Sequence, residues 1–234
     1  MLDLKSFAIG FVFMLKKFTI ININIYEEPC DEDYVNGIIL LPIIGFAIGF
    51  FASFISSFRL FYDEYFVSIL VFIYYCIVTK TVNLIDVYKT LNYIVKPKNY
   101  SEQISGIIGV VLTSLLYVSL IKLVNIKALM IAFMSGYCGL IMLSSLIQRE
   151  KQGTGIMKYC NNNTKIAVFV ISFSLAILIN HKLVVPLALT YMLSGFIINL
   201  IDKKAAVLPY SIEGFIIELI QIMFLIITYM LKII

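Results

Sequence analysis

Four polar stretches in an otherwise apolar chain hold the residues with chemistry to offer. The first, TKTVNLIDVYKTLNYIVKPKNYSEQ, carries Asp86 and Lys89. A carboxylate beside a lysine could ligate a metal and hold a phosphate, or form an ordinary solvated face. The second, QREKQGTGIMKYCNNN, sets Arg149 and Lys151 beside Gly153-Thr154-Gly155. Backbone amides and positive charge there could cradle a phosphate, and a plain turn reads as well. The third holds Asp202, Lys203 and Lys204 and runs to Pro209-Tyr210-Ser211. The fourth opens the last apolar stretch with Glu213 and Glu218. Gly214, Glu218 and Gln221 fall at i, i+4, i+7 and share one helical face. A carboxylate costs ~2.5–3.5 kcal/mol at the centre of a span, so it faces a partner or a wet cavity unless it lies near the interface. Glu218 ranks above Glu213 as a functional residue on this ground.

The elements that position these groups are membrane helices. Of 234 residues, 61% are hydrophobic and only 14% charged, and the mean hydropathy is +0.99. Soluble domains carry roughly 25% charged residues, so this surface must face lipid. Seven stretches read as spans: 37–58, 65–78, 104–124, 128–147, 166–179, 183–201 and 212–231. A span needs about 20 residues, so 65–78 and 166–179 must extend into their polar flanks or border a thinner, wetter cavity. The opening MLDLKSFAIGFVFMLKKF has the apolar core of a signal peptide, but Lys16 and Lys17 stand where small residues would precede cleavage. It reads as a retained interfacial or re-entrant helix. The predicted fold is all-α, a single polytopic membrane domain over residues 1–234 of about seven transmembrane helices. Pro42 is expected to kink the first span, and Gly45 and Gly49 to allow close helix packing.

Lysine and arginine counts orient the bundle. With seven spans, thirteen of them fall on the side of the N-terminus and segments 80–103, 148–165 and 202–211, against five opposite. The positive-inside rule makes that side cytoplasmic. All four polar stretches lie at this face. A net charge of +4 is accounted for by orientation, so nucleic acid is not an expected partner. Cys30, Cys76, Cys138 and Cys160 form no metal or disulfide pattern, with Cys76 and Cys138 read as packing residues and Cys30 and Cys160 as exposed thiols. His181 reads as a solvated turn residue.

The order of these segments resembles a known family. LPIIGFAIG is similar to the proline–glycine segment of cobalamin synthase, the adenosylcobinamide-GDP ribazoletransferase family. FVFMLKKFTI resembles that family's opening, with Lys17 where an arginine is usual. VNLIDVYKTLN occupies the place of its aspartate-rich loop, and ISGIIGVV resembles the stretch on the C-terminal side of that loop. REKQGTG resembles the segment that precedes a Gly-x-Gly, and KKAAVLPYSIEGFIIELIQ resembles the C-terminal motif with its glycine and glutamate. The departures fall on acidic positions. Ile85, Lys89 and Asn92 stand where the best register expects acids, leaving Asp86 displaced by one. Ser211 replaces an aspartate, Gln221 replaces a second glutamate, and Ala205 and Ala206 lie near usual glycines, while Gly214 and Glu218 remain.

The resemblance implies a multi-pass protein of a bacterial or archaeal inner membrane that joins adenosylcobinamide-GDP to α-ribazole or its phosphate and expels GMP. Other corrinoid-assembly enzymes would be its neighbours. Such transfer would use Mg²⁺, which neutralises the diphosphate and leaving phosphate and needs only one or two protein carboxylates. Asp86 and Glu218 are the implied catalytic and metal-holding pair. Lys17, Lys89, Arg149, Lys203, Lys204 and Gly214 are the implied substrate-binding set. Lysine at position 89 can bind phosphate but not metal, so two alternatives remain: a degenerate member that binds without transfer, and a small transporter. A transporter would carry buried charges midway along several spans and commonly an internal repeat, neither of which is evident.

Overall fold

The computed structural model describes residues 4–25, 28–95, 104–147, 155–204 and 208–233. Among them there is no β-strand; the chain is a bundle of α-helices. In chain order these are α1 (Leu4–Phe18), α2 (Asp31–Ile39), α3 (Leu41–Ser56), α4 (Glu64–Val78), α5 (Val82–Ile94), α6 (Ile104–Leu123), α7 (Ile126–Met142), α8 (Asn162–Asn180), α9 (Val184–Lys204) and α10 (Ile212–Met230).

Four described stretches are long and apolar enough to cross a bilayer: Leu41–Leu60, Ile104–Leu123, Asn162–Lys203 and Ile212–Met230. The third holds α8 and α9. Extended backbone at Asn180 (φ −167°, ψ 113°) interrupts it, and the Asn180 side chain accepts from the Lys182 amide. At 1.5 Å per residue, α8 and α9 are each about 30 Å long, close to the hydrocarbon thickness. The segment read as 166–179 reaches this length by extending into polar residues at both ends, Asn162 to Thr164 and Asn180.

Residues facing outward explain the composition. Along α6, Ile107, Ile108, Val111, Leu112 and Leu115 are all more than half exposed. In water such a face would drive aggregation; in lipid it is the outer wall. The interior is built on α7 and α10. Nearly every residue of α7 from Ala128 to Ile141 is buried, so this 17-residue helix is hydrophobic all round because it is enclosed all round. Glycines permit this density. A side chain at Gly45 would sit 2.9 Å from the Cα of Met134, and one at Gly49 would sit 2.8 Å from that of Met130. Gly45 and Gly49 are therefore the contact stripe of α3 on α7, as their spacing predicted.

Three sequence expectations change. The first span does not begin at Gly37 and bend at Pro42; α2 ends, and Pro42 lies in the first turn of α3, where a missing N–H costs nothing. The stretch 128–147 holds a shorter apolar helix, Ile126–Met142. Most consequential, residues 82–94 are not loop. They form α5, bent by 86° from α4, either a broken span or a re-entrant arm.

The bend has a local cause. Lys80 and Thr81 both adopt left-handed backbone (φ 54° and 56°), a conformation costing roughly 1–2 kcal/mol for a residue with a side chain. The Lys80 amide donates to Ile77 O at 3.1 Å and the Thr81 amide to Cys76 O at 2.9 Å. This is the Schellman closure of a helix end, usually completed by glycine. Here the chain makes it with lysine and threonine, then starts α5 at once.

Candidate functional site

A cavity of about 480 Å³ opens where the polar segments meet. Its lining comprises Lys17, Asp86, Lys89, Tyr93, Gly155, Pro209, Tyr210, Ser211 and Glu213. Lys17 comes from the last turn of α1, Asp86, Lys89 and Tyr93 from α5, and Glu213 from the first turn of α10. Segments far apart in sequence thus bring two cations and two carboxylates to one wall.

The crossing of α5 on α10 sets the geometry. Asn83, Asp86 and Thr90 share one face of α5 and lie along the start of α10. A side chain at Gly214 would come within 2.5 Å of Asp86 Oδ2 and 2.9 Å of the Asn83 Cα. Gly214 therefore contributes close approach; the space above it is filled by Asp86 and Asn83, not left open for a ligand. Further along, Thr90 Oγ1 donates to Ser211 Oγ at 2.8 Å. Ile85 is 44% exposed, and Asn92 turns to α6, accepting from Ser105 Oγ at 2.9 Å and the Gly106 amide at 2.7 Å. Of the three positions where acids were expected, only Lys89 reaches the cavity.

Glu213, ranked second from sequence, is a cavity residue. Its Oε2 pairs with Lys17 Nζ at 3.0 Å, and its Oε1 accepts from the Met157 amide at 3.2 Å. The pair joins α1 to α10 and seats the short turn Ile156–Tyr159 beside them.

Glu218 does not line the cavity. It lies five residues deeper on α10, 1% exposed, and its Oε1 accepts from the Tyr75 hydroxyl. Asn83 Nδ2 in turn donates to Tyr75 Oη at 3.0 Å. Gln221 continues the same helical face, accepting from Tyr117 Oη at 2.6 Å and donating to Phe133 O at 3.3 Å. The rings of Tyr75, Tyr117 and Phe133 pack with centroids 4.8–6.4 Å apart. The shared face of Gly214, Glu218 and Gln221 is thus real, but it meets three different partners. Tyr75 and Tyr117 sit in apolar runs, and only their polar tips opposite a buried glutamate and glutamine could have marked them.

The other expected ligands separate from this site. Lys203 is exposed near the end of α9 and does not line the cavity. Arg149 lies outside the described residues, as does the side chain of Lys204. Among the described residues, no group of three His, Cys, Asp or Glu is placed to hold a metal ion. Cys30 is exposed, Cys138 buried, and Cys76 and Cys160 half-buried. No family model, curated protein or solved structure matches the chain.

Proposed function

We propose that this is a cobalamin-synthase-like membrane enzyme that joins adenosylcobinamide-GDP to α-ribazole, or its phosphate, and releases GMP. One observation carries the reading. Segments that resemble that family's motifs, scattered from Lys17 to Glu213, line a single cavity. Its size is that of ordinary small-ligand sites, ~300–1,000 Å³. It suits a diphosphate with part of its nucleoside, leaving the much larger corrin ring outside the mouth.

In this reading the ribazole hydroxyl attacks the cobinamide-bearing phosphorus. A new P–O bond forms, the bridging P–O bond to GMP breaks with its electron pair leaving on the GMP phosphate, and the hydroxyl proton passes to water at the open mouth. Lys89, and Lys17 through the N–H groups that its pair with Glu213 leaves over, offset the diphosphate charge and orient it. A magnesium ion bound together with the diphosphate would need only one or two protein carboxylates. Asp86 would hold it, because the Glu213 oxygens already accept from Lys17 and Met157 and Glu218 lies outside the cavity. When bound, the ion would neutralise charge on the leaving phosphate. The cytoplasmic placement of this mouth rests on the thirteen-to-five bias of basic residues.

A second reading, binding without transfer, has its own observation. Thr90 and Ser211 face each other as two neutral hydroxyls, and position 211 is one where the resemblance expects an acid. Purified protein with adenosylcobinamide-GDP, α-ribazole and Mg²⁺ separates the two. Stoichiometric GMP release and complementation of a strain lacking cobalamin synthase support the enzyme. Tight binding with no GMP favours the second reading, and neither binding nor release removes both.

A further inference from the structure

The bend between α4 and α5 is bridged by side chains. Tyr75 lies about one turn before it and Asn83 just after it, and Asn83 Nδ2 donates to Tyr75 Oη at 3.0 Å. The same hydroxyl donates to Glu218 of α10. All three residues are at most 2% exposed. Tyr75 thus ties the two arms of the bend to each other and both to α10. Three residues beyond Asn83, Asp86 rests on Gly214, one turn of α10 above Glu218.

We infer that Glu218, Tyr75 and Asn83 form a clasp that holds the bent α4–α5 arm against α10 and thereby positions Asp86 on the cavity wall. Two features of the backbone give the clasp its task. Left-handed Lys80 and Thr81 make a joint without glycine, and such strain persists only where surrounding contacts over-determine it. The clasp supplies contacts on both sides of the joint. In addition, α5 is short, 13 residues, its Ile85 side faces outward, and it packs on α6 and α10, so α10 is one of the two walls that fix its rotation. A polar tie in an apolar interior suits this role because a mispaired hydroxyl or amide there has no water to turn to. On this assignment Glu218 is a positioning residue, acting through Tyr75 and α5.

The inference about Asp86 rests on the proposed function, but the clasp itself can be tested without it. Hydrogen exchange on the full-length protein in lipid nanodiscs reads residues 82–94 against 126–142. Tyr75→Phe, which removes one oxygen, is expected to speed exchange across 82–94 at least fivefold and leave 126–142 unchanged. Glu218→Gln retains an acceptor for Tyr75 and should keep the protection, whereas Glu218→Leu should lose it. Unchanged exchange at 82–94 in Tyr75→Phe, equal loosening of both helices, or equal loss in the Gln and Leu variants would each overturn the clasp. The positioning claim has a separate readout. The Mg²⁺ concentration for half-maximal GMP release should rise about tenfold in Tyr75→Phe, and an unchanged value overturns it. If the unaltered protein releases no GMP, the proposed function and the positioning claim fall together, while the exchange measurements still decide the clasp.

Discussion

Glu213 and Glu218 stand five residues apart on one helix and live in different chemistries. At the mouth, Glu213 pairs with Lys17, whose side chain is 38% exposed, beside Asp86 and Lys89 in a cavity that water can enter. One turn deeper, Glu218 is buried beside Tyr75, Tyr117 and Asn83, and its Oε2 has no hydrogen-bond partner among the described residues. The upper layer gathers charges of both signs around an open cavity. The lower layer is arranged to satisfy itself, nearly completely, with neutral donors. A carboxylate in a span therefore does not by itself mark where a ligand sits; its neighbours decide whether it contacts the ligand or holds the scaffold.

The largest effect is expected at Asp86. Replacing it with alanine should cut GMP release ~10²–10³-fold, the usual effect of removing a group that stabilises developing charge. The thermal unfolding midpoint should barely move. A variant that turns over normally would take Asp86 out of the upper layer. Gly214→Val joins the layers, since its Cβ alone would sit 2.5 Å from Asp86 Oδ2. Overpacking of this kind costs ~1–3 kcal/mol, so both the unfolding midpoint and GMP release should fall. Glu218→Ala should act on stability, because the Tyr75 hydroxyl loses its acceptor in a dry interior, worth ~1–3 kcal/mol. Denaturant unfolding in detergent would measure it.

Smaller effects sharpen the upper layer. Lys17→Met should weaken binding of adenosylcobinamide-GDP by about tenfold, and the difference should shrink in high salt, as expected for a partly exposed cation. Titration calorimetry at two ionic strengths checks both parts. The smallest effect is expected at α2, outside both layers. Burial pushes the Asp33 carboxyl up, but hydrogen bonds from Ser6 and Cys30 and the charge of Lys5 outweigh it and hold the group below its ordinary value. The Cys30 amide donates to Asp33 Oδ2 at 2.9 Å. Because the folded value is the lower one, this contribution is complete above the unfolded pKa and fades as pH falls through it, toward and below about 4. Asp33→Asn should flatten that acid limb of the unfolding curve.

Much of the architecture is legible in the chain. The run from Ile104 to Val124 reads as a membrane helix, and the interval between Gly45 and Gly49 foretells a close helix contact, for which α7 is the partner. Residues 82–94 read as loop because α5 is short and carries Asn83, Asp86, Lys89 and Asn92, so its hydropathy is that of a surface segment. Its joint is built from Lys80 and Thr81, where no glycine signals a turn. In the site, charge marks Asp86 and Lys89, and the resemblance at the chain's opening marks Lys17. Sequence ranks Glu213 below Glu218 because depth is judged from helix position, whereas in the fold Glu213 lines the cavity and Glu218 lies beneath it. Tyr75 is invisible there, since a tyrosine in an apolar run looks like packing until its hydroxyl is seen against Glu218.

The crossing of α1 and α2 bears on how the cavity mouth is kept in place. A side chain at Gly10 would meet the Gly37 amide nitrogen at 2.6 Å, and one at Gly37 would meet the Gly10 carbonyl oxygen at 2.5 Å. Backbone seated on backbone in this way leaves neither rod free to roll. Lys17 lies seven residues beyond that fulcrum, about 10 Å along the axis, so a single added methyl at position 10 would be magnified at the far tip as a displaced ammonium group.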